Sequence, residues 1–224
     1  MAMRIYLSKD LREASRLCAD DNRKTLAEQG VLMINLMGSP GSGKTTLLEH
    51  TMRKLSGLYR IAVIEGDLYT AKDAERLSPW CKQVTQINTE GGCHLEAGSI
   101  GYLLKEEALL DSELVVIENV GNLICPAEFD LGEDIRVTQL SVTEGDDKPA
   151  KYPLVFKDAD CVLITKLDLL PYCNFNLEGV IQELQIINQE LVIIPVSVYN
   201  GEGFDTWINW LVKQIEAKKK SVLS

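Results

Sequence analysis

Short, unbroken apolar runs alternate with amphipathic stretches along most of the chain. The runs are "VLMINLMGS", "RIAVIEGD", "SELVVIEN", "CVLITKLD" and "LVIIPVSV", each closing in small or polar residues. Runs of this length without polar alternation suit strands buried on both faces, as in a parallel sheet. Between them, apolar residues recur at helical spacing over 44–56, 71–79, 95–109, 174–188 and 204–218. A further stretch, 9–28, places Leu11, Ala14, Leu17 and Cys18 on one helical face. The segment "DIRVTQLSVTEGDDKPAKYP" begins with period-two alternation and predicts one more strand. Strand and helix in alternation predict an α/β fold, a mainly parallel sheet flanked by helices. The expected organisation is an N-terminal helical segment over 1–30 and a unit over 31–220, one domain overall. In such sheets ligands bind at the carboxyl ends of the strands, so the polar residues closing each run are where chemistry is expected.

Composition narrows the function. The chain has 224 residues, 46% of them hydrophobic, enough for a substantial core. No apolar run approaches the roughly 18 residues that span a bilayer. The start, "MAMRIYLSKDLREASRL", is interrupted by charges and has no signal-type apolar region. A cytoplasmic protein without a membrane partner is therefore expected. The formal net charge is −10, from 33 acidic and 23 basic residues, and repels phosphate backbones, so no nucleic-acid partner is expected. The "KKK" near the C-terminus reads as a solvated helix end. The six cysteines include no CxxC pair and are expected to be reduced, with Cys161 and Cys18 as core thiols.

The first run ends in "GSPGSGKTT", which fits G-x-x-x-x-G-K-[ST] from Gly38 to Thr45 with a strand before it and a helix after. Glycines let backbone N–H groups turn inward around phosphate oxygens, and the helix N-terminus adds its positive dipole end. Gly38, Gly41, Ser42, Gly43, Lys44, Thr45 and Thr46 are the candidate phosphate-binding residues. Lys44 is placed to reach the β- and γ-phosphates, and the Thr45 hydroxyl to ligate Mg²⁺. Two acidic strand ends, Asp67 in "VIEGD" and Glu118 in "LVVIENVG", can face the same Mg²⁺. Lys44, Asp67 and Glu118 are the candidate catalytic set. "TKLD" resembles the NKxD motif of GTPases, with Thr165 in place of Asn. In that motif the carboxylate, here Asp168, accepts two hydrogen bonds that guanine offers and adenine does not, while Lys166 covers the base. "VSVYNGEGF" resembles the element that closes over guanine, with Ser197 at its serine position. These features favour GTP and GDP over ATP, and a GTPase over an ATP-dependent kinase or ligase on the same scaffold. Asn122 follows Gly121 where rapidly hydrolysing small GTPases carry a water-orienting Gln, so slow intrinsic hydrolysis is expected.

One pair falls outside this scheme. "GGCHLEAGSI" sets Cys93 beside His94, in a chain whose other histidine, His50, lies on the helix after the phosphate loop. Cys125 follows in "NLICPAEFD". Thiolate and imidazole are ligands that nickel and zinc favour. Spacing alone leaves open whether the three form a metal site or are incidental. The whole set of motifs, "GSPGSGKTT", "EGD", "CHLEA", "ENVGNLICPAEFDLGE", "SVTEGDDKPAKYP" and "TKLDLLPY", resembles HypB-type GTPases, the nickel-insertion accessory proteins of nickel–iron hydrogenase maturation. The CPH triplet of the related urease GTPases is absent. The resemblance implies a P-loop, G-domain-like fold and a Ni²⁺ or Zn²⁺ site built from Cys93, His94 and Cys125. It further implies a homodimer in the GTP-bound state, a HypA-type nickel protein as partner, and the hydrogenase large subunit as recipient. Cys18 stands alone near the start of this chain, so tight N-terminal storage of nickel is not expected.

Overall fold

The computed structural model describes residues 8–67, 72–105 and 107–221, with side chains over 13–66, 72–105 and 109–221. Its strands are β1 (Leu32–Gly38), β2 (Ile61–Asp67), β3 (Gln83–Asn88), β4 (Leu114–Glu118), β5 (Ile135–Ser141), β6 (Cys161–Thr165) and β7 (Val192–Val196). They form one sheet in the order β3-β2-β4-β1-β5-β6-β7, and every neighbouring pair is parallel. The helices are α1 (Ser8–Gln29), α2 (Lys44–Leu55), α3 (Lys72–Leu77), α4 (Ala97–Leu103), α5 (Glu107–Leu110), α6 (Cys125–Glu128), α7 (Lys148–Lys151), α8 (Pro153–Lys157), α9 (Leu177–Ile187) and α10 (Phe204–Ser221). This is the α/β, parallel-sheet, P-loop architecture expected from the apolar runs. No helix among the described residues is long and apolar enough to cross a membrane.

β1 shows why the runs lack alternation. All seven of its residues are buried. Leu32, Ile34 and Leu36 face a core shared with α2 and α10, including Leu47, Met52, Trp207 and Leu211. Met33 points to the other side, against Leu26 of α1 and Ile100 of α4, and Met37 lies on that side among α8 and α9 residues. A strand covered on both faces has no solvent side to carry polar residues. Truncating a core side chain of this kind costs about 2–5 kcal/mol.

Three details differ from the pattern. β3 is absent from the predicted runs because "QVTQIN" is mostly polar. It is an edge strand, half-buried for most of its length, with Val84 and Ile87 meeting opposite cores. The helix expected over 95–109 is two short ones, and the first begins only after Glu96, whose backbone is extended at φ −115° and ψ 145°. The buried face of α1 is Ala19, Asn22 and Leu26; Leu17 is 62% exposed, Ala14 exposed and Cys18 half-buried, so Cys18 is not a core thiol. Leu11 lies outside the described side chains. The face turned because α1 packs on α4 through a polar anchor: Asn22 donates to the carbonyls of Ala97 and Leu131, both at 2.9 Å. Cys161 is fully buried, as expected.

Candidate nucleotide and metal site

Because the sheet is parallel, the carboxyl ends of β1, β2, β4, β5 and β6 lie along one edge. The phosphate loop leaves β1 there. Gly41 and Gly43 hold φ of +74° and +98°, the left-handed region that glycine enters without strain. Gly38 is confined by packing, since a Cβ would come within 2.9 Å of Ser42 Oγ and 3.1 Å of the Gln139 backbone oxygen. The Lys44 ammonium, 7% exposed, donates to the carbonyls of Gly38 at 3.3 Å and Ser39 at 3.4 Å. Backbone carbonyls of the loop thus hold the ammonium inside it. Ser42 Oγ donates to Gln139 Oε1 at 3.3 Å, and Thr46 begins the outer wall.

Next to this loop is an acidic corner. Thr45 Oγ1 donates to Glu118 Oε1 at 2.9 Å. Glu65, on β2, is the register partner of Glu118 on β4, so two carboxyls stand side by side, 3% and 4% exposed. Burial and the neighbouring Glu118 push Glu65 up to about 10. Burial also raises Glu118, against the pull of Lys44 and the Thr45 hydroxyl. Two adjacent buried carboxyls are costly as anions unless a proton or a cation lies between them. The Oε2 atoms of both glutamates are buried without hydrogen-bond partners. A hard divalent cation takes oxygen donors of this kind, so the corner fits Mg²⁺. Asp67 ends β2, but its side chain lies outside the described residues. Sequence reasoning passed over Glu65; its one signal was an acidic residue inside a buried apolar run. Loop, glutamates, Asp73 and Arg76 line a cleft of about 540 Å³.

The cleft continues past Gly43 into a smaller cavity of about 170 Å³, lined by Leu47, Thr165, Lys166, Asp168, Val198 and Tyr199 among others. Lys166 adopts φ +60°, which swings its side chain back so that Nζ donates to Gly41 O at 2.6 Å. Thr165, the residue that departs from the Asn of NKxD, donates Oγ1 to Ser42 O at 2.9 Å and so ties β6 to the phosphate loop. Ser197, fully buried, donates to Asp168 Oδ1 and leaves the second carboxylate oxygen for a ligand.

The sulfur and imidazole groups come together on the other flank. The ligand atoms of Cys93, His94 and Cys125 lie within 4.8 Å of one another, the one such trio among the described residues. A tight turn delivers the first two: Gly92 N donates to Thr89 O and Thr89 Oγ1 to Gly92 O, both at 2.8 Å, and Glu90 holds φ +49°. Leu95 then anchors the pair by packing on Gly66 of β2, where a Cβ would lie 3.0 Å from Leu95 Cδ1. Cys125 opens α6, with Pro126 behind it. Cys93 Sγ is 3.6 Å from His94 Nδ1, and the His94 ring stacks on Phe129 with centroids 3.8 Å apart. His94 Nε2 is buried without a partner. The neighbouring Cys125 thiol raises Cys93, as expected of two sulfurs facing each other. Phe129 was not a predicted site residue, and nothing in its spacing marked it. His50 is exposed, its ring edge-on to Phe204, and stands apart from this trio.

The nucleotide-binding domain of the CobW/HypB/UreG family matches residues 32–195. The chain is 47% identical over 205 residues to hydrogenase maturation factor HypB of Escherichia coli strain K12, which covers 92% of this chain and 71% of the relative. Two crystal structures share the fold with a TM-score of 0.85. Hydrogenase maturation factor HypB from Archaeoglobus fulgidus is 38% identical and aligns over 91% of this chain and 99% of its own. HypB from Helicobacter pylori in complex with nickel is 37% identical and aligns over 92% and 97%. Agreement over most of the length at such identity leaves no room for a chance likeness: the chain belongs to the CobW/HypB/UreG family, in its HypB branch.

Proposed function

We propose that the protein is a GTP-hydrolysing metallochaperone that carries nickel to nickel–iron hydrogenase, with residues 31–220 as the working unit, preceded by an N-terminal helical segment whose helix α1 packs on α4. One observation carries this reading: Glu118, at the phosphate corner, and Cys125, in the metal trio, sit on one short segment between β4 and α6. Asp168 and Lys166 select guanine, Gly38 to Thr46 wrap the phosphates, and Lys44 neutralises their charge. Thr45 and Glu118, with Asp67, would hold Mg²⁺, which when bound would supply positive charge to screen the phosphates. Ni²⁺ is cargo on Cys93, His94 and Cys125, and Zn²⁺ suits the same donors. GTP draws the acidic strand ends and their loops toward the γ-phosphate and closes two subunits face to face. Hydrolysis is slow, releases those loops and alters metal affinity. A HypA-type protein and the hydrogenase large subunit are the partners along this route in the cytoplasm.

The test is Ni²⁺ affinity measured with GDP and with a non-hydrolysable GTP analogue. Couplings of about 1–3 kcal/mol would change it roughly 5- to 150-fold. Equal affinity in both states overturns the switch. Cys93→Ala with Cys125→Ala should abolish specific Ni²⁺ binding and leave GDP affinity in place; unchanged Ni²⁺ binding would mean that the trio is incidental.

A further inference from the structure

Asn122 lies where the two sites meet. Its backbone belongs to the phosphate loop: the amide donates to Gly38 O at 3.0 Å, in an isolated antiparallel bridge with Gly38. The preceding Gly121 sits flush on that loop, where a Cβ would come within 3.0 Å of Pro40 Cα and 3.1 Å of its Cγ and N. The side chain of Asn122 serves the metal trio instead. Its Oδ1 accepts from the amide of Ile124, the residue before Cys125, at 2.8 Å. Its Nδ2 donates to the carbonyl of Cys93 at 3.4 Å. One residue therefore touches both ligand-bearing segments and the loop that wraps the phosphates.

Asn22 offers an internal contrast. It ties together two stretches that follow the trio in sequence, donating to the carbonyls of Ala97 and Leu131. It does so from α1, at 4% exposure, and both of its side-chain hydrogen bonds go to those two carbonyls. One asparagine ties α1 to residues beyond the trio; the other ties the trio's own segments to the phosphate loop.

We propose that Asn122 is the positioning residue through which occupancy of the phosphate loop sets the spacing of Cys93 and Cys125. The proposal rests on the functional reading above, that nucleotide state changes metal affinity. The Lys44 ammonium now shares the Gly38 carbonyl with the Asn122 amide. When Lys44 turns to phosphate, that carbonyl keeps Asn122 as its donor, and any shift of residues 38–40 reaches residues 121–122 through the close Gly121–Pro40 contact. From there the side chain carries it to Cys93 and to the turn before Cys125. The 3.4 Å bond to Cys93 is at the long end for an N–H···O contact, so a small shift is enough to make or break it.

The experiment is Ni²⁺ titration of the full chain against a chromophoric chelator, with Mg²⁺ and either GDP or a non-hydrolysable GTP analogue. The thiolate-to-nickel charge-transfer band is recorded in parallel. The wild type is expected to show an affinity ratio between the two states within roughly 5- to 150-fold. Asn122→Ala should bring that ratio to within about twofold of unity while the thiolate band persists. Asn22→Ala should lower the melting temperature and leave the ratio as in the wild type. If Asn122→Ala does not fold, Asn122→Ser replaces it, since a serine hydroxyl still accepts from the amide two residues on but cannot reach the Cys93 carbonyl. A wild-type ratio preserved in the folded Asn122 variant overturns this proposal and leaves the functional reading intact. A wild-type ratio of one overturns both.

Discussion

At the phosphate corner, Thr45, Glu65 and Glu118 are 8%, 3% and 4% exposed, and each stands on or against a central strand. Across the same edge of the sheet, Cys93 is exposed and Cys125 half-buried. One sits in a turn after an edge strand and the other opens a four-residue helix. The corner is held by ladder hydrogen bonds on both sides of β4 and β1, so displacing it disturbs the core. The metal trio is held by a turn, one aromatic stack and a few polar contacts, so its ligand atoms can shift at little cost. The proposed carrier role would use this division, with a firmly held phosphate corner beside a more compliant set of sulfur and imidazole donors. The corner also needs a proton or a cation between its carboxyls, because two adjacent buried carboxylates are unfavourable.

That contrast is open to attack in order of expected effect. Lys44→Ala removes a buried ammonium from the phosphate loop and should lower GDP and GTP affinity by roughly 10- to 150-fold, in line with charge-assisted hydrogen bonds. Calorimetric titration measures this. Nickel affinity without nucleotide should move by less than about threefold, and an equal fall in both would erase the distinction between the two regions. Phe129→Ala removes the stack that fixes the His94 ring. Supporting groups of this type are worth about 10- to 100-fold in metal affinity, and a loss near the lower figure is expected. GDP binding should not change, and chelator competition beside calorimetry checks both.

The smallest effect sharpens the picture of the corner itself. The Glu65 carboxyl rises from its usual 4.5 to about 10 in the folded chain. Between those values the native state keeps a proton that the unfolded chain has released. Stability attached to this group is therefore fully present at low pH and declines as pH rises through the window. Glu65→Gln removes that penalty. Without Mg²⁺ it should raise the melting temperature near neutral pH by a few degrees, at about 2–4 °C per kcal/mol for a chain of this size. The gain should shrink as pH falls toward 4.5. Thermal unfolding from pH 5 to 9 follows it, and a gain that grows toward acid would contradict the assignment.

Particular residues show how far the chain could be read without coordinates. The apolar runs marked β1, β2, β4, β6 and β7, because strands buried on both faces must be apolar throughout. The alternation in "DIRVTQLS" marked β5. β3 escaped because an edge strand is excused from that rule. Cys18 misled because helical spacing alone does not say which face of α1 meets the sheet. The phosphate loop and "TKLD" were readable as local chemistry: backbone N–H groups, a lysine and a carboxylate work at fixed offsets on one turn. Glu65, Phe129, Asn22 and Asn122 were not readable in this way, since each acts on residues far away in sequence.

What the linear order determined by itself was every strand but the edge strand β3, together with the residues of the phosphate-loop motif, since both depend on neighbours along the chain. Tertiary structure alone decided that the Glu65 and Glu118 carboxyls adjoin, that Cys125 reaches Cys93 and His94, and that Asn122 touches both Gly38 of the phosphate loop and the Cys93 carbonyl. Those distances arise from the order of parallel strands across the sheet, and that order is settled by packing of the whole core rather than by any one segment.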